Sequence, residues 1–232
     1  AIAYEYATGN KVMVTNQRDK VQTLWYRSFG NPDERELVRV DSPLAITTTI
    51  SRDRLANVRS VQQGDINRIF KYNDHYHLIE RQDPETSAIV YGRDLLGNLT
   101  SRQIATQEVT TFVYDGLNRL ERTIYEESGL PDVVLGYDEN SNLKSLYFGD
   151  VSRDYEYDAR DRLVSETLRI AEQGAGENVF VVRYQRDLLG NVDQMIYPSG
   201  RMVDYAPDAF GRATKAAPFV TSAAYYPSGQ LE

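Results

Sequence analysis

Apolar and polar residues alternate along much of the chain in short stretches that each end in a polar turn. In Tyr155-Glu156-Tyr157 the two aromatic residues stand two positions apart with a glutamate between them. Successive side chains of a β-strand point to opposite faces, so both tyrosines lie on one face and Glu156 on the other. A helical period is nowhere sustained for the roughly 10 to 12 residues that a helix requires. The pattern predicts an all-β chain with little or no helix.

A turn sequence of recurring form follows these stretches. A tyrosine or its replacement, here called the anchor, precedes an aspartate such as Asp158, whose carboxylate can accept N–H groups of the following residues. Three positions after the aspartate stands a residue type that tolerates positive φ in a hairpin loop. Such residues are Gly97, Gly190, Gly211 and Asn118. The sequence predicts a strand, a loop of about four or five residues and a return strand.

The turn sequence recurs eleven times, most clearly at Tyr114 to Leu120 and Tyr157 to Leu163. The anchors lie at positions 6, 26, 52, 72, 93, 114, 137, 157, 186, 207 and 226. A repeat of about 22 residues is typical of tandem supersecondary units. We therefore expect one hairpin per repeat, with residues 1–232 forming a single repeat domain that is a segment of a larger protein.

One gap in the repeat is longer than the others. Between Tyr157 and Arg186 stands the polar, glycine-rich stretch from Ala171 to Asn178. Polar glycine-rich stretches between apolar segments are typical of loops. We expect an extended hairpin loop at this position.

The run from Tyr155 to Leu163 resembles the YD repeat of the Rhs family, which is shared by bacterial Rhs proteins, the B and C components of insecticidal toxin complexes, and the teneurins. The segment from Tyr197 to Tyr205 resembles a linking phrase of the bacterial members, and Tyr226 to Leu231 is a shorter copy. The resemblance extends over nearly the whole chain. It implies hairpins that wind into a curved, spiralling antiparallel sheet, part of a shell around a toxic C-terminal domain or of a large extracellular barrel.

The expected site residues are structural. No catalytic, cofactor-binding or metal-binding residue is expected, because each aspartate recurs at one turn position whereas an active site is a unique constellation. We expect no cofactor and no enzymatic activity. The residues expected to build the repeat are the strand aromatics Tyr114, Tyr137, Tyr155, Tyr157 and Tyr205 and the turn residues Asp115, Asn118, Asp158, Gly97, Gly190 and Gly211.

Composition narrows the possible partners. The formal charge is −8, and phosphate neutralisation requires clustered Lys and Arg, so we expect no nucleic acid partner. No stretch approaches the roughly 18 consecutive apolar residues of a membrane-spanning helix, so no membrane insertion is expected. The chain has no cysteine, which excludes disulfides and thiolate metal sites. Its 17 tyrosines suit a sheet with two wetted faces, because a half-buried ring can still present its hydroxyl to water.

Two short sequences resemble metal sites. His75 and His77 have the spacing of two ligands on one strand face. The run from Asp138 to Asn142 begins like a calcium loop, but it has Leu143 at the sixth position and Gly149 at the twelfth. Both sequences fall in the register of the repeat, which favours ordinary turns over metal ligands.

The sequence thus predicts a structural segment of an Rhs-type toxin shell. Its partners would be the remainder of the shell and the enclosed toxin domain, and the parent protein would be exported and delivered to a target cell. Open sheet edges would also favour self-association. Two alternatives stay open, namely an extracellular carbohydrate- or protein-binding module, with exposed tyrosines stacking on sugar rings, and an enzyme.

Overall fold

The computed structural model describes residues 3–7, 10–28, 35–126, 129–172, 174 and 176–232. Within these residues the chain forms nineteen β-strands and no helix, which confirms the predicted all-β class of tandem hairpins. In the part of the chain that is described, no helix reaches the length and apolarity of a membrane span.

The chain divides into two compact units, Ala1–Thr111 and Phe112–Glu232. The expectation of a single domain over residues 1–232 stays a prediction. Strands β1 to β10 belong to the first unit and β12 to β19 to the second, and β11 contains the boundary. The strands are β1 Ala3–Ala7, β2 Lys11–Thr15, β3 Val21–Ser28, β4 Arg35–Asp41, β5 Thr47–Arg52, β6 Val58–Gln63, β7 Ile66–Tyr72, β8 Leu78–Asp83, β9 Ser87–Arg93, β10 Leu99–Ile104, β11 Thr110–Tyr114, β12 Leu120–Tyr125, β13 Val133–Tyr137, β14 Leu143–Phe148, β15 Val151–Tyr157, β16 Leu163–Glu172, β17 Gly176–Arg186, β18 Val192–Ile196 and β19 Met202–Asp204.

Strand pairing follows the order of the chain. From β1 to β11 each strand pairs antiparallel with the next one, and the same holds from β12 to β19. Only short connections are needed when consecutive strands pair, because antiparallel neighbours can be joined by a tight turn. The two faces that the sequence predicts for β15 are confirmed, since Tyr155 and Tyr157 are half-buried and Glu156 is exposed.

The same β-bulge recurs beside the anchors. Lys71 pairs with Glu80 but Tyr72 pairs with Leu78, so Ile79 is left out of the ladder. A bulge of this kind increases the local right-handed twist of the strands. The anchors that it accompanies are Tyr26, Arg52, Tyr72, Arg93, Tyr137, Tyr157 and Arg186.

The hairpins bury few apolar side chains. Among the described apolar side chains only Val12 and Val203 are buried, each at 4% exposure, and no large side chain is fully buried. Most strand residues are half-buried. Stability must therefore depend on cross-strand contacts and on the hydrogen bonds of the turns.

The prediction of an extended loop at 171–178 is wrong. Strands β16 and β17 continue into this stretch, with Ala171 opposite Glu177 and Glu172 opposite Gly176. Its polar side chains pair along the two strands, as where Asn178 Nδ2 donates to Glu172 Oε1 at 2.7 Å. The polar composition of this stretch indicated a loop, but its residues belong to an exposed two-stranded ribbon.

Two register assignments also need correction. Tyr226 donates its N–H to Gln230, and Gly229 donates to the Tyr226 carbonyl, so Tyr226 occupies the aspartate position and Tyr225 is the anchor. Tyr205 lies just after β19 rather than within a strand. The turns that follow anchors Tyr6 and Tyr26 include residues outside the described part of the chain.

The glycines of the turns generate a stability prediction. Gly97 has a φ of +88°, and a Cβ built there would lie 2.7 Å from the His77 ring of the preceding turn. Gly97→Ala should lower the free energy of unfolding by about 1 to 3 kcal/mol, because strain and crowding act together. Gly116 has neither a positive φ nor any atom within 4 Å of such a Cβ, so Gly116→Ala should change stability by less than about 0.5 kcal/mol. Urea unfolding measures both, and equal effects would contradict this explanation.

Candidate functional site

The repeated element of the fold is a five-residue loop that we call the YD turn. In the copy at residues 94–98, the Asp94 N–H donates to the Asn98 carbonyl and the Gly97 N–H donates to the Asp94 carbonyl, both at 3.1 Å. The residue at the fourth position, here Gly97, has positive φ. The same pair of backbone bonds closes the turns that begin at Asn16, Ser42, Asp53, Asn73, Asp94, Asp115, Asp138, Asp158, Asp187, Tyr197, Asp208 and Tyr226.

The aspartate carboxylate fills the interior of the turn. Asp158 Oδ1 accepts the N–H groups of Arg160 at 2.9 Å and Arg162 at 3.1 Å. Its Oδ2 accepts the Arg162 Nε at 2.7 Å. Each oxygen therefore has its own partners, and the carboxylate accepts two of the loop amides. The turns of Asp115 and Asp208 repeat the arginine pairing, and in those of Asp53, Asp94, Asp138 and Asp187 an asparagine donates to Oδ2 instead.

These bonds favour the ionised carboxylate. The Arg162 side chain, followed by the turn amides, outweighs burial and lowers the pKa of Asp158 to about 2. The side-chain amide of Asn98 is the largest cause of a lowered pKa at Asp94, as that of Asn142 is at Asp138. The turn is thus held by charged carboxylates at neutral pH.

The anchor side chain connects its turn to the preceding hairpin in seven of the described repeats. The Tyr157 hydroxyl donates to the Leu143 carbonyl at 2.8 Å, and Leu143 is the first residue after the preceding YD turn. Burial raises the pKa of Tyr157, so this hydroxyl stays protonated and remains a donor. Tyr72, Tyr137 and Tyr225 make the corresponding bond to Val58, Leu120 and Ala213.

Arginine makes the same connection at three positions where it replaces the anchor tyrosine. Arg186 Nη2 donates to the Leu163 carbonyl at 2.9 Å, and its Nη1 donates to the Gly190 carbonyl of its own turn at 3.1 Å. The sequence indicates these positions only as replacements of the anchor tyrosine, so the bond to the preceding hairpin was not predicted. The available signal was the recurrence of Arg-Asp, followed three positions later by glycine or alanine. The other two examples are Arg52, which binds Leu37 and Ala56, and Arg93, which binds Leu78 and Gly97.

Successive YD turns also contact one another in the second unit. Arg119 Nη1 donates to the Asp138 carbonyl at 3.2 Å and to Ser141 Oγ at 3.0 Å. Asn140 and Asn142 both donate to Asp161 Oδ1, at 2.8 and 2.9 Å. The turns at 115–119, 138–142 and 158–162 thus form one continuous polar edge.

The predicted structural residues occupy several places in this repeat. Tyr114 ends β11 directly before Asp115, and Asn118 has the positive φ of the fourth turn position. Tyr155 lies in β15 two residues before the anchor Tyr157, and both tyrosines line an open groove of about 570 Å³. Gly190 and Gly211 have φ of +99° and +78°. Among the described residues Tyr205 makes no anchor bond of the Tyr157 kind, and its N–H donates to the Asp193 carbonyl at 2.8 Å.

The candidate metal ligands do not form a cluster. His75 and His77 lie in the turn at 73–77 with their ring centroids 6.3 Å apart. Asp138 and Asn142 bond to each other as in any YD turn. Over the described residues, no group of three or more His, Asp or Glu side chains is close enough to hold a metal ion.

Comparison with solved structures identifies the fold. The crystal structure of TcdB2-TccC3-Cdc42 matches with a TM-score of 0.55 at 11% identity, over 100% of this chain and 18% of that one. TcdB2-TccC3-TEV matches with 0.53 at 12% identity, over 100% and 17%. TcdB2-TccC3 matches with 0.51 at 12% identity, over 100% and 18%. The chain thus spans less than a fifth of the length of these neighbours, and at such identity the likeness shows the fold alone.

The sequence comparisons give no match. No protein-family model matches the chain. No curated protein matches it either.

The anchor bond generates the first prediction from this site. Tyr157→Phe removes the donor to the half-buried Leu143 carbonyl, so unfolding free energy should fall by about 1 kcal/mol. Tyr147 is 49% exposed and makes no side-chain hydrogen bond in the described part of the chain, so Tyr147→Phe is a matched control with an effect below about 0.5 kcal/mol. Denaturant titration of both variants provides the measurement. An effect at Tyr147 as large as that at Tyr157 would contradict the anchor role.

The turn carboxylates generate a pH prediction. Because folding lowers the pKa of Asp158 to about 2 from an ordinary value of about 3.9, its contribution to stability is complete above that ordinary value. The contribution is lost as pH falls towards 2. Thermal unfolding midpoints measured from pH 6 to pH 2 should therefore fall, and Asp158→Asn should be less stable at pH 6 with a smaller fall.

The exposed turn residue Glu139 provides the matched control, since it makes no side-chain hydrogen bond in the described part of the chain. Glu139→Gln should follow the wild-type midpoints over the whole pH range. A wild-type slope retained by Asp158→Asn would contradict the carboxylate account.

Proposed function

We propose that this chain is a structural segment of an Rhs-type shell that encloses a toxin domain, without catalysis of its own. The observation that carries the proposal is the bond that seven anchors of the described residues make to a carbonyl of the preceding hairpin, as from Tyr157 to Leu143. That bond joins successive hairpins by one rule, so the sheet can be lengthened by adding repeats. A wall of variable extent is what an enclosing shell requires.

Two further observations support the proposal. The fold is similar over the whole chain to TcdB2-TccC3, of which it covers 18%. The turn aspartates of the second unit are held by turn amides and side chains, as at Asp158, and each belongs to a separate turn. Membership of the Rhs family, export and delivery to a target cell belong to the same proposal.

Protection of a cargo is the direct test. The parent protein is purified with all residues on both sides of this segment. Its C-terminal region should resist trypsin until the repeat region is unfolded. The same C-terminal region expressed alone should be cleaved at least tenfold faster. Equal cleavage rates would contradict the enclosing role.

The isolated chain should associate with itself. Backbone groups at the edge of an open sheet pair readily with another strand, so a segment without its neighbouring repeats exposes pairing sites. Light scattering of the 232-residue chain should give a mass above that of one chain, 26.5 kDa. A monodisperse monomer at about 0.1 mM would contradict the sheet-edge account.

A carbohydrate-binding module is the second candidate. It would be favoured by exposed tyrosines gathered on one sheet face, but Tyr76, Tyr147, Tyr197 and Tyr226 are exposed in different turns and strands. This distribution favours the wall over the sugar-binding surface. Saturable binding to neutral oligosaccharides on a glycan array would reverse that preference.

A further inference from the structure

The long ribbon of the second unit creates a strand segment that is paired on one edge only. Strand β17 pairs with β16 from Arg183 to Gly176, but with β18 only from Arg183 to Arg186. The segment from Gly176 to Val182 therefore extends past the end of β18. The chain after β18 turns sharply at Tyr197–Arg201 and leaves the space next to this segment open.

An open groove of about 630 Å³ occupies this position. Its lining is mostly apolar and comes from three separate segments, β17, the turn at 197–201 and the loop around Phe219. The exposed fractions of Phe180, Tyr197 and Phe219 are 42%, 38% and 64%, so three aromatic rings are available to a ligand in one place. Grooves of about 300 to 1,000 Å³ with such a lining are the usual size of small-molecule sites.

One cation stands in this apolar lining. Arg201 is exposed, and its guanidinium carbon lies 5.5 Å from the centroid of the Phe219 ring. No carboxylate of the described residues lies within ion-pair distance of Arg201. Arg162 and Arg212 stand at the same last position of their YD turns, but each is paired with the aspartate that begins its turn, where the turn of Arg201 has Tyr197. The positive charge of Arg201 is therefore free for a ligand.

We propose that this groove binds a small amphipathic anion, one carboxylate or sulfonate joined to an aromatic or aliphatic body. The body would contact Phe180 and Phe219, and the anionic group would pair with Arg201 through charge-assisted hydrogen bonds. A polyanion would need several cations, and the lining has one. A neutral sugar would leave that charge unused. The site does not depend on the proposed shell function.

Two fluorescent probes that differ by one charged group test the proposal. 8-Anilinonaphthalene-1-sulfonate carries a sulfonate, whereas N-phenyl-1-naphthylamine has the same rings and no charge. The sulfonate should bind the wild-type chain saturably. Arg201→Gln should weaken the sulfonate about tenfold and the neutral probe less than twofold, because one charge-assisted bond is lost. Phe219→Ala should weaken both.

Arg160→Gln is the matched control, because Arg160 is an exposed turn residue of the same unit outside the groove. It should leave both probes unaffected. Circular dichroism and unfolding midpoints should be unchanged by the two arginine variants. Non-saturable binding, an unchanged sulfonate affinity in Arg201→Gln, or an equal loss in Arg160→Gln would overturn the proposal.

Competition with the fluorescent sulfonate defines the chemical class of ligand that the groove binds. Decanoate should displace the bound sulfonate, and a neutral alkyl maltoside of the same chain length should fail to displace it at equal concentration. Displacement by the maltoside but not by decanoate would make the groove a site for neutral sugars and overturn the assignment.

Discussion

The fold depends on one arrangement of hydrogen bonds, in which an aspartate carboxylate closes a turn and the residue before it binds the preceding hairpin. Asp158 accepts two amides of its own turn, and Tyr157 donates to Leu143 one hairpin earlier. An isolated two-stranded hairpin is only marginally stable in water. Since the described residues bury few apolar side chains, the bond between hairpins supplies the cooperation that a larger core supplies elsewhere.

The sequence allowed the local part of this arrangement to be predicted. The turn at Asp158 depends on bonds that span four residues, so residue types alone indicate it. The role of Arg186 could not be predicted, because its acceptor, Leu163, is 23 residues away. The ribbon at 171–178 was missed because the bonds that order it, such as that from Asn178 to Glu172, cross between strands. The groove beside Phe180 combines three segments that no sequence pattern connects.

Variation among the repeats follows from these contacts. Arginine can replace the anchor tyrosine because it reaches the same carbonyl and also binds its own turn, as Arg186 does at Gly190. Asparagine or arginine can occupy the last position of the turn because either donates to the second carboxylate oxygen. The bonding pattern is retained while the sequence changes, which fits a fold likeness to TcdB2-TccC3 at 12% identity.

Native-state hydrogen exchange tests the central claim most directly, namely that anchors couple neighbouring hairpins. With increasing denaturant, the amides of the hairpins built on the turns at 138–142 and 158–162 should converge on one opening free energy, and Tyr157→Phe should separate them. Hairpins that open independently in the wild-type chain, each with its own free energy, would contradict the account.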